Sequence, residues 1–156
     1  MKHFLMGVAA AGLALTPAGA QESRPQISLE SARTMQQACL DYAAEHDLGV
    51  AIAIYDNAGI LVAYSRMDGA SLAAQDLSQW KGQSAARYRS PTQRSADWDM
   101  PNLPHIATIG GGLPIFDAEA NPLGGIGVSG APVAEDIACG MAALAAAGLT
   151  SERPTG

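Results

Sequence analysis

The residues Gly125-Ile126-Gly127-Val128-Ser129-Gly130 spell G-x-G-x-x-G, the spacing of a dinucleotide-binding turn. That chemistry needs a strand before the glycines, a helix after them and a second parallel strand beyond. An acidic residue ~20 positions on must then hold the ribose. Here the helix that follows runs into a short polar tail; Glu152 stands near the right distance but on no strand. The nucleotide unit cannot be assembled. What survives is narrower. Ser129 and Gly130 precede a helix start, whose free N–H groups suit an anion, and Gly110, Gly111 and Gly112 stand just before the facing strand. Gly111, Gly112, Ser129 and Gly130 therefore mark one end of a hairpin as a small-ligand site for a carboxylate. Tight packing of a glycine-rich hairpin on a partner subunit accounts for the same residues equally well.

A second group of residues carries charge. Arg66 and Asp68 are two apart at a strand end and so share a face. Lys81 belongs to the helix that follows. Arg66 or Lys81 could hold a carboxylate; equally, Arg66 and Asp68 could pair with each other and fix the turn. Asp68, Lys81 and His105 together make an acid/base grouping of the kind a lyase or isomerase of small acids uses. No motif supports catalysis beyond that. Ser129 lacks the G-x-S-x-G context because glycine follows it directly, and there is no HExxH or Cys/His metal spacing. The residues favour a binding protein over an enzyme.

The elements that must position these groups are legible from pattern. Ser28 is an N-cap for a helix whose buried stripe is Ala32, Met35, Cys39, Tyr42/Ala43 and His46, with Gly49 as its stop. His46, at the end of that helix, suits an electrostatic cap. Two β-rich runs, 50–56 and 60–67, flank Asp56-Asn57-Ala58-Gly59 and read as a hairpin. A helix is expected over 71–89, with Ala73, Leu77, Trp80, Ser84 and Tyr88 on its inner side and Gly82 weakening it by ~1 kcal/mol. Residues 90–112 carry Pro91, Pro101 and Pro104 and read as a long irregular loop. A second hairpin, 113–117 with 122–130, leads through Pro132 into a last helix ending at Gly148. Hairpins without βαβ units predict an antiparallel sheet with helices packed on it, an α+β domain.

Residues 1–20 have the order of a secretory signal peptide: Lys2, an apolar run from Phe4 to Leu15, and Ala18-Gly19-Ala20 as a cleavage site. The expected organisation is a signal peptide over 1–20, a flexible leader over 21–27, one domain over 28–149 and a polar tail over 150–156. The formal net charge of −6 becomes −7 once Lys2 is removed, leaving eight basic residues against fifteen acidic. An acidic chain without a Lys/Arg run argues against nucleic acid and anionic membranes as partners. Export to the periplasm or medium would place Cys39 and Cys139 where disulfides persist. Their even count is consistent with a bridge, and two buried thiols are the alternative.

The segments "VAIAIYDNAGILVAYSRMDGA", "KGQSA", "GGGLPIFD" and "GGIGVSGAP", the last followed by "AEDIACG", together resemble the GlcG/HbpS-like haem-binding family, related to the C-terminal domain of PduO-type proteins. The resemblance runs from about Leu29 to Gly148. It implies a profilin-like α+β fold, an antiparallel sheet flanked by N- and C-terminal helices, homo-oligomers, and haem or another small molecule as ligand. Cys39 and Cys139 resemble the paired cysteines of exported members. Haem would need an apolar pocket, cations for its propionates and an axial donor. His105, in the loop before the glycines, is the candidate axial ligand, with Met67 and Met100 behind it. Gly82 in "KGQSA", the longer "IFDAEANPLGG" turn and the unusual segment from Tyr88 to Ile109 depart from the family pattern, and they bear on which ligand is taken.

Overall fold

The computed structural model describes residues 24–100 and 102–154. The signal peptide expected over residues 1–20 lies outside the described residues. The element order is α1 (Leu29–Glu45), β1 (Ala51–Asp56), β2 (Leu61–Arg66), α2 (Leu72–Tyr88), α3 (Thr92–Ser95), β3 (Gly112–Phe116), β4 (Pro122–Ser129) and α4 (Val133–Ala146). Four strands form one antiparallel sheet in the order β2-β1-β4-β3. The α+β class and both hairpins are as expected.

The two hairpins close by one device. The Asp56 carboxylate accepts from the N–H groups of Ala58 and Ile60, both at 2.9 Å. Asp117 does the same for Glu119 and Asn121, at 3.1 and 2.8 Å. These bonds, with the Asn121 side-chain amide foremost, hold the Asp117 carboxyl below the usual range. Such Asx turns let aspartate replace the Asn-Gly pair of shorter hairpins.

Strand alternation sorts the two sheet faces. Val50, Ile52, Ile54, Leu113, Ile115, Ile126 and Val128 face α1 and α4 and pack with Met35, Cys39, Ala43, Cys139, Ala143 and Leu144 into the main core. The opposite face is small: Ala51 and Ala53 of β1 lie with Gly125 and Gly127 of β4 beneath α2. There the helix backbone rests on the strand backbone. A methyl at Gly82 would stand 2.9 Å from both the Ala53 carbonyl oxygen and the Gly127 nitrogen. One at Gly127 would collide with the Ser78 carbonyl oxygen and the Gly82 nitrogen. Gly82 is thus the contact point of helix and sheet, a role that offsets its low helix propensity.

Several local expectations are revised. The inner side of α2 is Ala74, Ser78, Lys81, Gly82, Ser84, Ala85 and Ala86, whereas Ala73 is exposed and Leu77, Trp80 and Tyr88 are partly so. A glycine-lined sheet admits only small side chains, so the bulkier residues turn outward. On α1 the stripe ends at Ala43. His46 is exposed at the C-cap, where its Nδ1 meets the Tyr42 carbonyl oxygen at 2.7 Å, and the left-handed residue after the helix is Asp47, not Gly49. Residues 92–98 are helical, in α3 and a 3-10 turn, not irregular. Beyond them the loop is tied to α2 by the Ala107 N–H to Ser84 Oγ at 2.8 Å and by the Tyr88 hydroxyl to the Pro104 carbonyl at 2.6 Å. Ile27 is buried and donates its N–H to the Leu123 carbonyl at 3.2 Å, so the leader is docked at its end. Thr150 pairs with Phe116 at the β3 edge.

Cys39 and Cys139 are bridged, joining α1 to α4 across 100 residues. In the chain-entropy picture, closing a ~100-residue loop restricts the unfolded chain by about 4.7 kcal/mol. Replacing both cysteines by alanine is expected to lower stability by about 2–5 kcal/mol in urea unfolding, and intact-mass measurement of the purified protein should lie two protons below the dithiol form. Gly127→Ala is expected to cost about 1–3 kcal/mol or more by overpacking, read as a lowered thermal midpoint; an unchanged midpoint would contradict the backbone contact.

Candidate functional site

Lys81 is fully buried, with 1% of its surface exposed. An ammonium taken out of water must be paired and fully hydrogen-bonded. Its three protons are spent on the Val128 carbonyl at 2.9 Å, Ser129 Oγ at 3.2 Å and Asp136 Oδ2 at 2.8 Å. Asp136 is also buried, and its Oδ1 accepts from the Ala131 N–H at 3.1 Å. Burial pushes the Asp136 carboxyl above the usual carboxylate range, against the opposing pull of Lys81 and the Ala131 N–H. The ion pair thus joins α2, the end of β4 and the first turn of α4.

The backbone of Gly111 passes directly over this pair. Its φ of 109° lies in the region glycine tolerates, and a methyl there would stand 2.6 Å from the Val128 oxygen and 2.8 Å from the lysine nitrogen. Two depressions open at the surface nearby, and Gly111 lines the larger. The larger, about 550 Å³, runs between α3, β3 and α4, where Pro91, Leu113, Ile137 and Met141 give apolar wall and Arg94 and Glu152 stand at its edge. The Arg94 guanidinium lies 3.8 Å from Glu152, both well exposed. The smaller, about 210 Å³, is floored by Lys81, Ser129 and Asp136.

Of the residues singled out by sequence, Lys81, Ser129 and Gly130 come together in the smaller depression, and Gly111 and Gly112 line the larger. Arg66 and Asp68 do not join them. Both are exposed, and Arg66 donates to the Ala70 carbonyl at 3.0 Å, fixing the turn through the backbone. No Arg66–Asp68 ion pair exists among the described residues. His105 is exposed with φ of 61° and lines neither depression. Met67 and Met100 line neither as well.

Sequence reasoning missed Asp136, Arg94, Met141 and Thr92. Thr92 Oγ1 accepts the Gly112 N–H at 2.9 Å and holds the start of β3. Asp136 was visible only as an acidic residue in a helix first turn, where the helix dipole already accounts for it. An interior lysine without a neighbouring carboxylate in its own helix was the available signal.

Compared with known proteins, residues 27–145 match the family model described as "Haem degrading protein HbpS-like". The chain belongs to the HbpS-like family. It is 31% identical over 120 residues to the uncharacterized 15.0 kDa protein in the dhaT-dhaS intergenic region of Citrobacter freundii, covering 70% of this chain and 84% of that one. Among solved structures it is similar to a double mutant of HbpS from Streptomyces reticuli, with a TM-score of 0.76, 26% identity and coverage of 88% of this chain and 97% of that one. It is likewise similar to the ORFY protein of Klebsiella pneumoniae, with a TM-score of 0.75, 27% identity and coverage of 86% and 97%. The α+β fold of this chain is therefore the family fold.

Removing one member of the buried pair strands the other. Asp136→Leu is expected to cost about 3–5 kcal/mol, whereas the double variant Lys81→Met/Asp136→Leu should recover most of that loss. Urea unfolding of the two variants checks it; equal losses would show that the charges do not act as a pair.

Proposed function

We propose that this protein binds haem or a closely related flat ligand in the larger cleft, after export to an oxidising compartment and as a homo-oligomer. Family membership supports the haem reading. The observation that carries it for this chain is the cleft between α3, β3 and α4. Its volume of about 550 Å³ falls in the range of small-molecule sites, roughly 300–1,000 Å³.

The lining fits such a group. Pro91, Leu113 and Ile137 offer apolar surface to a macrocycle, Arg94 offers a cation for a propionate, and Met141 offers a thioether within the cleft. When bound, haem would supply an iron that the Met141 thioether could ligate. Arg94 is free to turn to a ligand because its exposed pairing with Glu152 contributes about 1 kcal/mol at most. Ser151 donates its hydroxyl to the Met141 sulfur at 3.3 Å, which orients the thioether. His105 enters this reading only through a rearrangement of its loop. The disulfide supports an oxidising compartment, and no helix among the described residues is long and apolar enough to cross a membrane.

Titrating purified protein with hemin is expected to give a saturable Soret shift. Met141→Leu should alter the spectrum and Arg94→Ala should weaken binding about two- to fivefold, while His105→Ala leaves both unchanged. Absence of a saturable shift would remove the haem reading. A spectrum that responds to His105→Ala and not to Met141→Leu would move the site from the cleft to the loop.

A further inference from the structure

The segment after α4 is fastened along the larger cleft at several points. Thr150 exchanges two backbone hydrogen bonds with Phe116 on the edge of β3, at 2.9 and 3.1 Å. Ser151 is buried, and its hydroxyl donates to the Met141 sulfur at 3.3 Å. The Glu152 N–H donates to Thr150 Oγ1 at 3.1 Å. Arg153 places its guanidinium 5.6 Å from the centroid of the Phe116 ring, within cation–π reach. Glu152 is thus held through its own N–H and through both chain neighbours. Its carboxylate stands 3.8 Å from the Arg94 guanidinium.

The charges around the cleft show what this contact does. Among the described residues, Arg94, Asp97 and Glu152 are the charged ones that line it, one cation with two carboxylates. A ligand that carries a carboxylate needs that cation, and the chain already delivers a carboxylate to it. Asp97 lines the same cleft but makes no ion pair with Arg94. The Arg94–Glu152 pair is exposed on both sides and contributes little as a tether. The backbone bonds of Thr150 and the burial of Ser151 hold the strap without it. The effect of the pair therefore falls on binding and not on stability.

We infer that Glu152 is an internal competitor for the ligand carboxylate at Arg94. The inference rests on the haem reading of the cleft and states how that site is regulated. In the empty cleft Glu152 occupies the cation. A ligand carboxylate displaces it, and the strap stays anchored at Thr150 and Ser151 while the Glu152 side chain swings outward. Glu152 thereby lowers the affinity of ligands that present an acid group and leaves that of a neutral analogue unchanged.

Titrations with hemin, and with hemin dimethyl ester as the neutral analogue, test this. Glu152→Gln should tighten hemin about two- to fivefold, the range open to an exposed ion pair, and leave the dimethyl ester unaltered. The gain should vanish without the cation, so Arg94→Ala and Arg94→Ala/Glu152→Gln should bind hemin equally. Asp97→Asn should tighten hemin less than Glu152→Gln does. Equal gains from the two would show a diffuse charge effect and overturn the proposal. A gain that persists in the Arg94→Ala background, or that extends to the dimethyl ester, would overturn it as well. All three substitutions are at exposed positions, so the thermal midpoint should stay within a degree or so of the unmodified protein, roughly the effect of an ordinary surface change. A saturable hemin shift that Glu152→Gln leaves unaltered sinks this inference alone, whereas no saturable shift in any of the proteins removes the haem reading and this inference with it.

Discussion

Helix α2 rests with its backbone against the backbone of β4, and the arrangement of the charged groups follows from that contact. Side chains ordinarily hold a helix off a sheet. Gly82 on the helix and Gly125 and Gly127 on the strand remove the spacer. Glycine inside a helix or strand lowers the intrinsic stability of each, and the dense packing of the two surfaces offsets it. The approach matters chemically because Lys81 is the neighbour of Gly82. Drawn this close, its ammonium meets the Val128 carbonyl at the end of the strand and the Asp136 carboxylate at the start of α4. With a helix held further out, the stem would fall short and the charge would remain in water.

The other face of the sheet obeys the ordinary rule of large apolar residues, and there α4 is fixed covalently. Asp136 and Cys139 lie within one turn of each other, so that turn is tied to α2 by charge and to α1 by the disulfide. Tyr42 adds a third tie by donating its hydroxyl to Glu135 at 2.8 Å, a bond that raises the tyrosine pKa above its usual value.

Pattern alone carried much of this fold. The stripe Ala32, Met35, Cys39 and Ala43, the N-cap at Ser28, both hairpins and the antiparallel sheet were legible because they follow the ordinary partition of apolar residues inward. The inner side of α2 was not. Periodicity reasoning assigns bulk to the interior, and here the receiving surface is glycine, so bulk is excluded and Ala74, Ser78 and Lys81 go in instead. The same exclusion hid the site. A buried lysine looks like a surface residue in sequence, and its partner Asp136 lies 55 positions away on a different helix. Arg66 and Asp68 attracted attention by proximity in sequence, yet their exposed turn needs only the Arg66 bond to the Ala70 carbonyl. Residues 92–98 escaped because Pro91 reads as a breaker, although proline is tolerated at a helix start, and Pro91 stands at the N-cap of α3.

The first two and a half turns or so of α4 are the common wall of both depressions: Val133 and Asp136 face the smaller, Ile137 and Met141 the larger. Because that stretch is anchored at Asp136 and Cys139, neither depression depends on a ligand to shape this wall. A preformed wall spares the ordering cost that a mobile one imposes on binding. It has a second consequence. Two sites influence each other only if a shared element has alternative arrangements that the ligands favour differently. An element locked by an ion pair and a disulfide has little such freedom, so occupancy of one depression is felt weakly in the other. Gly111, which lines the larger depression, lies with its backbone against the ion pair and has no side chain to shift.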